Sequence, residues 1–262
     1  VNAGALAVAN DILLLANGEG GNGVIFGDGG VGTGGSITLT ANGDSRGNSL
    51  ISASSFLLGA EGFGGDGFGA GGQISLNSAA NGTAGGNAQG GTIFINAAAD
   101  GGTITGTSLL VRADAEGGFG GDGFASSSLS TTGGSGGNGG SAQGGSITLD
   151  TVRGTETGSG ALNFADVSMN AFARGQSGGA GAIGTTRGEG GNGGSATGGT
   201  VTVNVDRGGS QLLVGGRLSS SVVGFGGDGG LCDPGCLAAG GDATGGAIFL
   251  GCQAYEWHHL IT

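Results

Sequence analysis

The hexapeptide Gly-Gly-Ser-Ile-Thr-Leu at positions 34–39 returns as Gly-Gly-Thr-Ile-Phe-Ile at 90–95, Gly-Gly-Ser-Ile-Thr-Leu at 144–149, Gly-Gly-Thr-Val-Thr-Val at 198–203 and Gly-Gly-Ala-Ile-Phe-Leu at 245–250. Subtracting the starting positions gives spacings of 56, 54, 54 and 47 residues. A strand-like segment recurring at such a period means a solenoid or array, in which each unit completes its core against its neighbours. A common lead introduces the later copies: Asn87-Ala88-Gln89, Ser141-Ala142-Gln143, Ser195-Ala196-Thr197 and Asp242-Ala243-Thr244. Lead and anchor recur together, which biased composition alone does not produce.

The unit at 90–143 shows what one repeat holds. Its first half carries three short alternating segments, Thr92–Asn96, Thr103–Thr105 and Leu109–Ala115. Period-two alternation with β-branched residues reads as half-buried strand. The inward set is then Ile93, Ile95, Ile104, Leu109, Val111, Ala113 and Ala115. Equivalent rows are Ile37, Leu39, Leu50, Phe56, Leu58 and Ala60; Ile147, Leu149, Leu162, Phe164, Val167 and Met169; and Val201, Val203, Leu212, Val214, Leu218 and Val222. Three strands per coil predict an all-β fold, a three-sided parallel β-helix whose coils stack at the interstrand spacing of about 4.8 Å. The array occupies residues 1–250 as one domain, with repeats near 34–89, 90–143, 144–197 and 198–244, partial units at both ends and an irregular tail at 251–262.

The second half of each repeat is glycine-rich. The run 133–140, Gly-Gly-Ser-Gly-Gly-Asn-Gly-Gly, has period three, matching the three residues per turn of a polyproline II-type helix. Each ordered glycine costs roughly 0.5–1 kcal/mol more than alanine. With 72 glycines among 262 residues, an offset is required. Hydrogen bonds within a stacked, polyglycine II-like layer, bound calcium or a partner surface could supply it; otherwise the excursions are disordered. In-register recurrence once per coil favours the stacked layer.

Composition removes several classes. One proline excludes a collagen-like triple helix. A net charge of −12 disfavours nucleic acid and anionic lipid as partners. No apolar run approaches a membrane-spanning length, so direct membrane insertion of this segment is not expected. The repeat is already running at residue 6, which suggests a piece of a longer protein.

The unit built from Ala142-Gln143-Gly144-Gly145-Ser146-Ile147-Thr148-Leu149, a strand ending like Val111-Arg112-Ala113-Asp114-Ala115, and a glycine-rich insert resembles the β-helix passengers of bacterial autotransporters and filamentous-haemagglutinin-like exoproteins. The resemblance implies a secreted or surface-exposed structural or adhesive protein, extracellular or on a bacterial surface. Its implied partners are a host or environmental surface, a polysaccharide or further copies of itself.

Candidate chemistry is sparse. Asp66, Asp122 and Asp228 sit in the related segments Gly62–Phe68, Gly118–Phe124 and Gly224–Gly229. Stacked in a solenoid they would form a carboxylate ladder, and calcium suits such oxygen ligands. The competing reading is an ordinary Asp-Gly turn. Phe63, Phe68, Phe119, Phe124 and Phe225 flank these aspartates, either sealing the glycine layer or presenting aromatic surface. Cys232 and Cys236 bracket a Pro-Gly turn and suit a local disulfide in an oxidising compartment; free thiols, or less readily a metal site, are the alternatives. Glu256, Trp257, His258 and His259 form the only cluster of catalytic-type residues, at the extreme end and without a nearby nucleophile. No enzymatic activity and no obligate cofactor are expected. A regular face binding polysaccharide, or less readily ice, is the alternative to a scaffold.

Overall fold

The computed structural model describes residues 4–24, 26–43, 48–69, 79–98, 101–125, 133–151, 159–205, 210–232 and 238–252. Among these the chain is all-β, without helix, and every ladder between named strands is parallel. Five turns of chain stack on one another. Each turn contributes strands to the same four sheets, so the sequence period becomes a period in space.

The anchors form the first sheet: Ser36–Ala41, Thr92–Ala97, Ser146–Thr151, Thr200–Val205 and Ala247–Cys252. Their register places Ile37 against Ile93, Ile93 against Ile147, Ile147 against Val201 and Val201 against Ile248. The last strand runs to Cys252, two residues into the segment expected to be tail; residues 253–262 lie outside the described ones.

The second sheet holds Ala5–Ala7 and Asp11–Leu15, then Ser49–Ser52 and Ser55–Gly59, then Gly102–Arg112, then Ala161–Asn170, and finally Gln211–Val214 and Leu218–Ser221. Here the second and third segments of each repeat, expected as separate strands, share one sheet and in two turns fuse into a single strand. The alternation nevertheless slips where they join. Ile104 and Leu109 are both buried, as are Phe164 and Val167, although the members of each pair lie an odd number of positions apart. Uninterrupted pleating would send such residues to opposite faces, so the backbone turns a corner inside the sheet.

Two narrow ladders complete each turn. Gly18–Glu19, Gly62–Phe63, Ala115–Glu116, Ala173–Arg174 and Gly224–Phe225 make one; Gly32–Thr33, Ala88–Gln89, Ala142–Gln143, Ala196–Thr197 and Ala243–Thr244 make the other. They stand where each glycine-rich excursion leaves and rejoins the coil. The core behind the broad sheets is a continuous column of Ile, Leu, Val, Phe, Met and Ala. Ala88, Ala115, Ala142, Ala173 and Ala196 fill the narrower space between the small ladders.

The inward row of the 90–143 repeat is buried as its alternation requires, from Ile93 to Ala115. Two positions differ from expectation. Ile51, not Leu50, enters the core, because Ile51 is in register with Ile104. Leu218 lies opposite Val167 yet is 46% exposed, in the fifth turn, which among the described residues has a neighbouring turn on one side only.

Candidate functional site

The excursions are ordered arms over their described lengths. One limb leaves through the first narrow ladder and a second returns through the other. The triplet Ser135-Gly136-Gly137 on a returning limb shows how the layer is bonded. Ser135 N donates to Asn81 Oδ1 of the preceding turn (2.9 Å). Gly136 N donates to Glu189 O of the following turn and Gly137 N to Gly121 O of the outgoing limb of its own turn (each 2.8 Å). Successive N–H groups thus point to three different neighbours, with a period of three residues.

The two glycines are dictated by distance. A Cβ at Gly136 would stand 1.9 Å from Gly179 O, and one at Gly137 would stand 1.9 Å from Thr83 O. Any side chain there would overlap backbone. The remaining, third position of this triplet, here Ser135, carries the side chain.

Aspartate and asparagine at that third position perform a repeated task. Asp66 Oδ1 accepts from Phe119 N at 2.9 Å, while Gly67 N donates to Phe119 O at 2.8 Å. One residue of the next turn is therefore gripped by both of its backbone polar groups. Asp122 and Gly123 hold Ala180 in the same way, at 2.7 and 2.9 Å. Asn22–Gly23 grips Asp66, Asp28–Gly29 grips Ala84, Asn81–Gly82 grips Ser135, Asn138–Gly139 grips Asn192 and Asn192–Gly193 grips Ala239. The coil body uses the device at its corners. Asn17–Gly18 holds Glu61, Asp114–Ala115 holds Phe172 and Asp166–Val167 holds Arg217. In every instance the side-chain acceptor belongs to the earlier turn and the gripped residue to the later one.

This geometry bears directly on the calcium ladder expected of Asp66, Asp122 and Asp228. Gly62 pairs with Ala115, and Ala115 with Ala173, which pairs in turn with Gly224. Counting outward four residues from these pairs puts Asp66 level with Phe119, Ser177 and Asp228. Asp122 lies one triplet further along its arm, level with Ala180. The motif that looks equivalent in sequence is offset by three residues in space, because the third turn inserts Ala115-Glu116-Gly117 before its Gly118-Phe119. The three carboxylates do not form a column, and two turns separate Asp66 from Asp228. Among the described residues no group of three or more His, Cys, Asp or Glu side chains is arranged to hold a metal ion. Sequence reasoning missed the asparagines that do the same work as the aspartates; the available signal was Asx-Gly recurring at triplet spacing.

Phe63, Phe119 and Phe225 are exposed on the outgoing limbs, with 36%, 51% and 56% of their surface in solvent, and present aromatic surface, whereas Phe68 and Phe124 are half-buried. Between them, Glu116 ties the third turn to the fourth. Gln176 Nε2 donates to Glu116 Oε1, and Arg174 Nη1 stands 3.9 Å from the same oxygen.

On the returning side lies a shallow trough of about 430 Å³ lined by uncharged groups, including Asn87, Gln89, Ser141, Gln143, Ser195 and Thr197. Gln89, Gln143 and Thr197 occupy one column of the second narrow ladder, in register and exposed.

Among the described residues, Asp114 is the titratable group clearly displaced from its ordinary range. Burial pushes its carboxyl up from 3.8 to about 6, opposed by the bond from Phe172 N and reinforced by the neighbouring Glu61. Cys232 is disulfide-bonded; Cys236 lies outside the described residues, as do Glu256, Trp257, His258 and His259.

No protein-family model matches the chain, and no curated protein matches it. Among solved structures it is similar to a springtail antifreeze protein from Granisotoma rainieri, a bundle of nine polyproline type II helices. That similarity is 21% in identity and covers 70% of this chain and 94% of the other, with a TM-score of 0.15. At that score it carries no weight for fold or function.

Proposed function

We propose that the chain is a structural and adhesive scaffold, a stalk segment of a secreted or surface-exposed protein. Its coil is read as a three-sided parallel β-helix, with the anchor sheet as one side and the two limbs of the bent sheet as the others. The arms are read as a polyglycine II-like double layer. The observation that carries this reading is the direction of bonding: ladders and Asx grips alike run from each turn to the next. Such a body extends by adding turns and offers long, repetitive flanks. The bonded arms would also deny proteases the flexible loops they need.

A second reading, a neutral polysaccharide bound along the returning side, is favoured by the uncharged trough. Amide and hydroxyl groups there donate and accept, which suits a polyhydroxylated ligand better than a charged one.

Limited proteolysis with thermolysin, followed by measurement of adhesion to glass, cellulose and mucin films, tests the scaffold. We expect arms that resist cleavage and a chain that adheres to at least one film. Rapid cutting within 64–69 or 82–87 would overturn the stalk, and adhesion no better than that of an inert protein would overturn the adhesive role. Binding to soluble neutral glucans that is lost in Gln89→Ala/Gln143→Ala would move the assignment to the second reading.

A further inference from the structure

Six Asn–Gly steps occur in the sequence, and this dipeptide is the one in which asparagine most readily deamidates, because glycine places no side chain in the path of its own nitrogen. In the reaction the deprotonated glycine nitrogen attacks Asn Cγ and a C–N bond forms. The Cγ–Nδ2 bond breaks, and nitrogen leaves as ammonia with the proton. Water then opens the succinimide at either carbonyl, giving aspartate or isoaspartate. No oxidant, cofactor or enzyme is needed.

Five of the six steps, at Asn17, Asn22, Asn81, Asn138 and Asn192, are Asx grips; the sixth, Asn42–Gly43, borders residues outside the described ones. In each grip both reacting groups are committed to the next turn. The Oδ1 atoms accept from Glu61 N, Asp66 N, Ser135 N, Asn192 N and Ala239 N at 2.9, 2.9, 2.9, 2.9 and 3.0 Å. The attacking nitrogens of Gly18, Gly23, Gly82, Gly139 and Gly193 donate to the carbonyls of those same residues at 2.9, 2.7, 2.8, 2.8 and 2.8 Å. Bonding opposes loss of the N–H proton, and the extended geometry points the amide toward the next turn instead of back onto its own chain.

We propose that these five asparagines are self-modification sites gated by stacking: inert while the next turn is docked, and reactive once it separates. The two products differ in consequence. Aspartate re-forms the grip, since Asp28, Asp66 and Asp122 already hold neighbours with the same Oδ1 acceptor. Isoaspartate adds a methylene to the main chain, so its carboxylate and the following N–H no longer match one residue. A turn that opens for long enough therefore acquires a permanent covalent record, and in its isoaspartate form it does not close again.

The test is peptide mapping by mass spectrometry during incubation of the whole chain at mildly alkaline pH. A synthetic peptide spanning residues 133–143 serves as the unstacked reference for Asn138. We expect Asn138 in the folded chain to deamidate at least about tenfold more slowly than in the peptide, the factor reflecting the rarity of local opening. Equal rates would overturn the gating. Asn138→Asp and Asn138→Ala supply the second arm. The proposal requires the Asp variant to melt with the parent and the Ala variant to melt lower; an Asp variant that melts as low as Ala would overturn the regripping.

Discussion

At the residue scale, a single carboxylate or amide oxygen decides whether two turns share a register. Asp66→Asn keeps the oxygen that receives Phe119 N and should leave stability unchanged. Asp66→Ala removes it and should cost about 1 kcal/mol in chemical denaturation, the usual net worth of one such bond. Glycines divide just as sharply. Gly137→Ala drives a methyl into Thr83 O and should cost about 3 kcal/mol or more, whereas Gly21, with open space around its absent Cβ, should accept alanine without loss. Asp114 links stability to pH. Its carboxyl titrates near 6 in the fold against 3.8 for an ordinary aspartate, so the folded state holds the proton more tightly than the unfolded one. Its contribution is therefore fully present below 3.8 and is lost as pH rises through about 6. In Asp114→Asn the acceptor for Phe172 N survives and this slope should vanish from melts recorded across that range. Sequence marked Asp66, Asp122 and Asp228 as a set because their flanking residues match. Space separates them because the offset between arms is fixed at the narrow ladders, by residues that carry no motif.

At the scale of the element, the strands were legible and their junctions were not. Alternation located Ile93, Ile95, Leu109 and Val111 inside, all of which are buried. It failed at Leu50 because Leu50 and Ile51 are adjacent apolar residues, and only the register with Thr103 and Ile104 selects which one faces the core. The corner in the bent sheet depends on a small residue. Phe56 and Phe164, from turns two apart, meet edge-to-face with centroids 5.7 Å apart. Gly106 lies in the turn between, where a Cβ would come within 2.9 Å of both the Phe56 ring and Ala53 O. Gly106→Ala should therefore cost about 1–3 kcal/mol by overpacking, read as a lowered denaturation midpoint with an unchanged slope. The arms were legible as period-three segments because glycine spacing survives in the sequence. Their bonding to three neighbours was not, since main-chain groups leave no trace in composition.

At the scale of the molecule, stability is summed along the stack from contacts between adjacent turns. Because the grips supply Asp66 and Asp122 with protein partners, and Asp228 stands two turns from Asp66, the melting temperature should be the same in EDTA and in millimolar calcium, by circular dichroism; a rise with calcium would return Asp66, Asp122 and Asp228 to consideration as ligands. The grips also have a sense. Their side-chain oxygen always belongs to the earlier turn, and the residue they seize always comes later in the chain. A completed turn is thus a mould for its successor: it presents its row of oxygens before the chain that will occupy them has arrived. For a polypeptide threaded out of a pore with its N-terminus leading, each emerging segment meets a surface already cast to receive it, so that folding could draw the chain outward one ratchet step at a time. Tethered-chain force measurements on progressively released protein should then record discrete shortening events, one per turn.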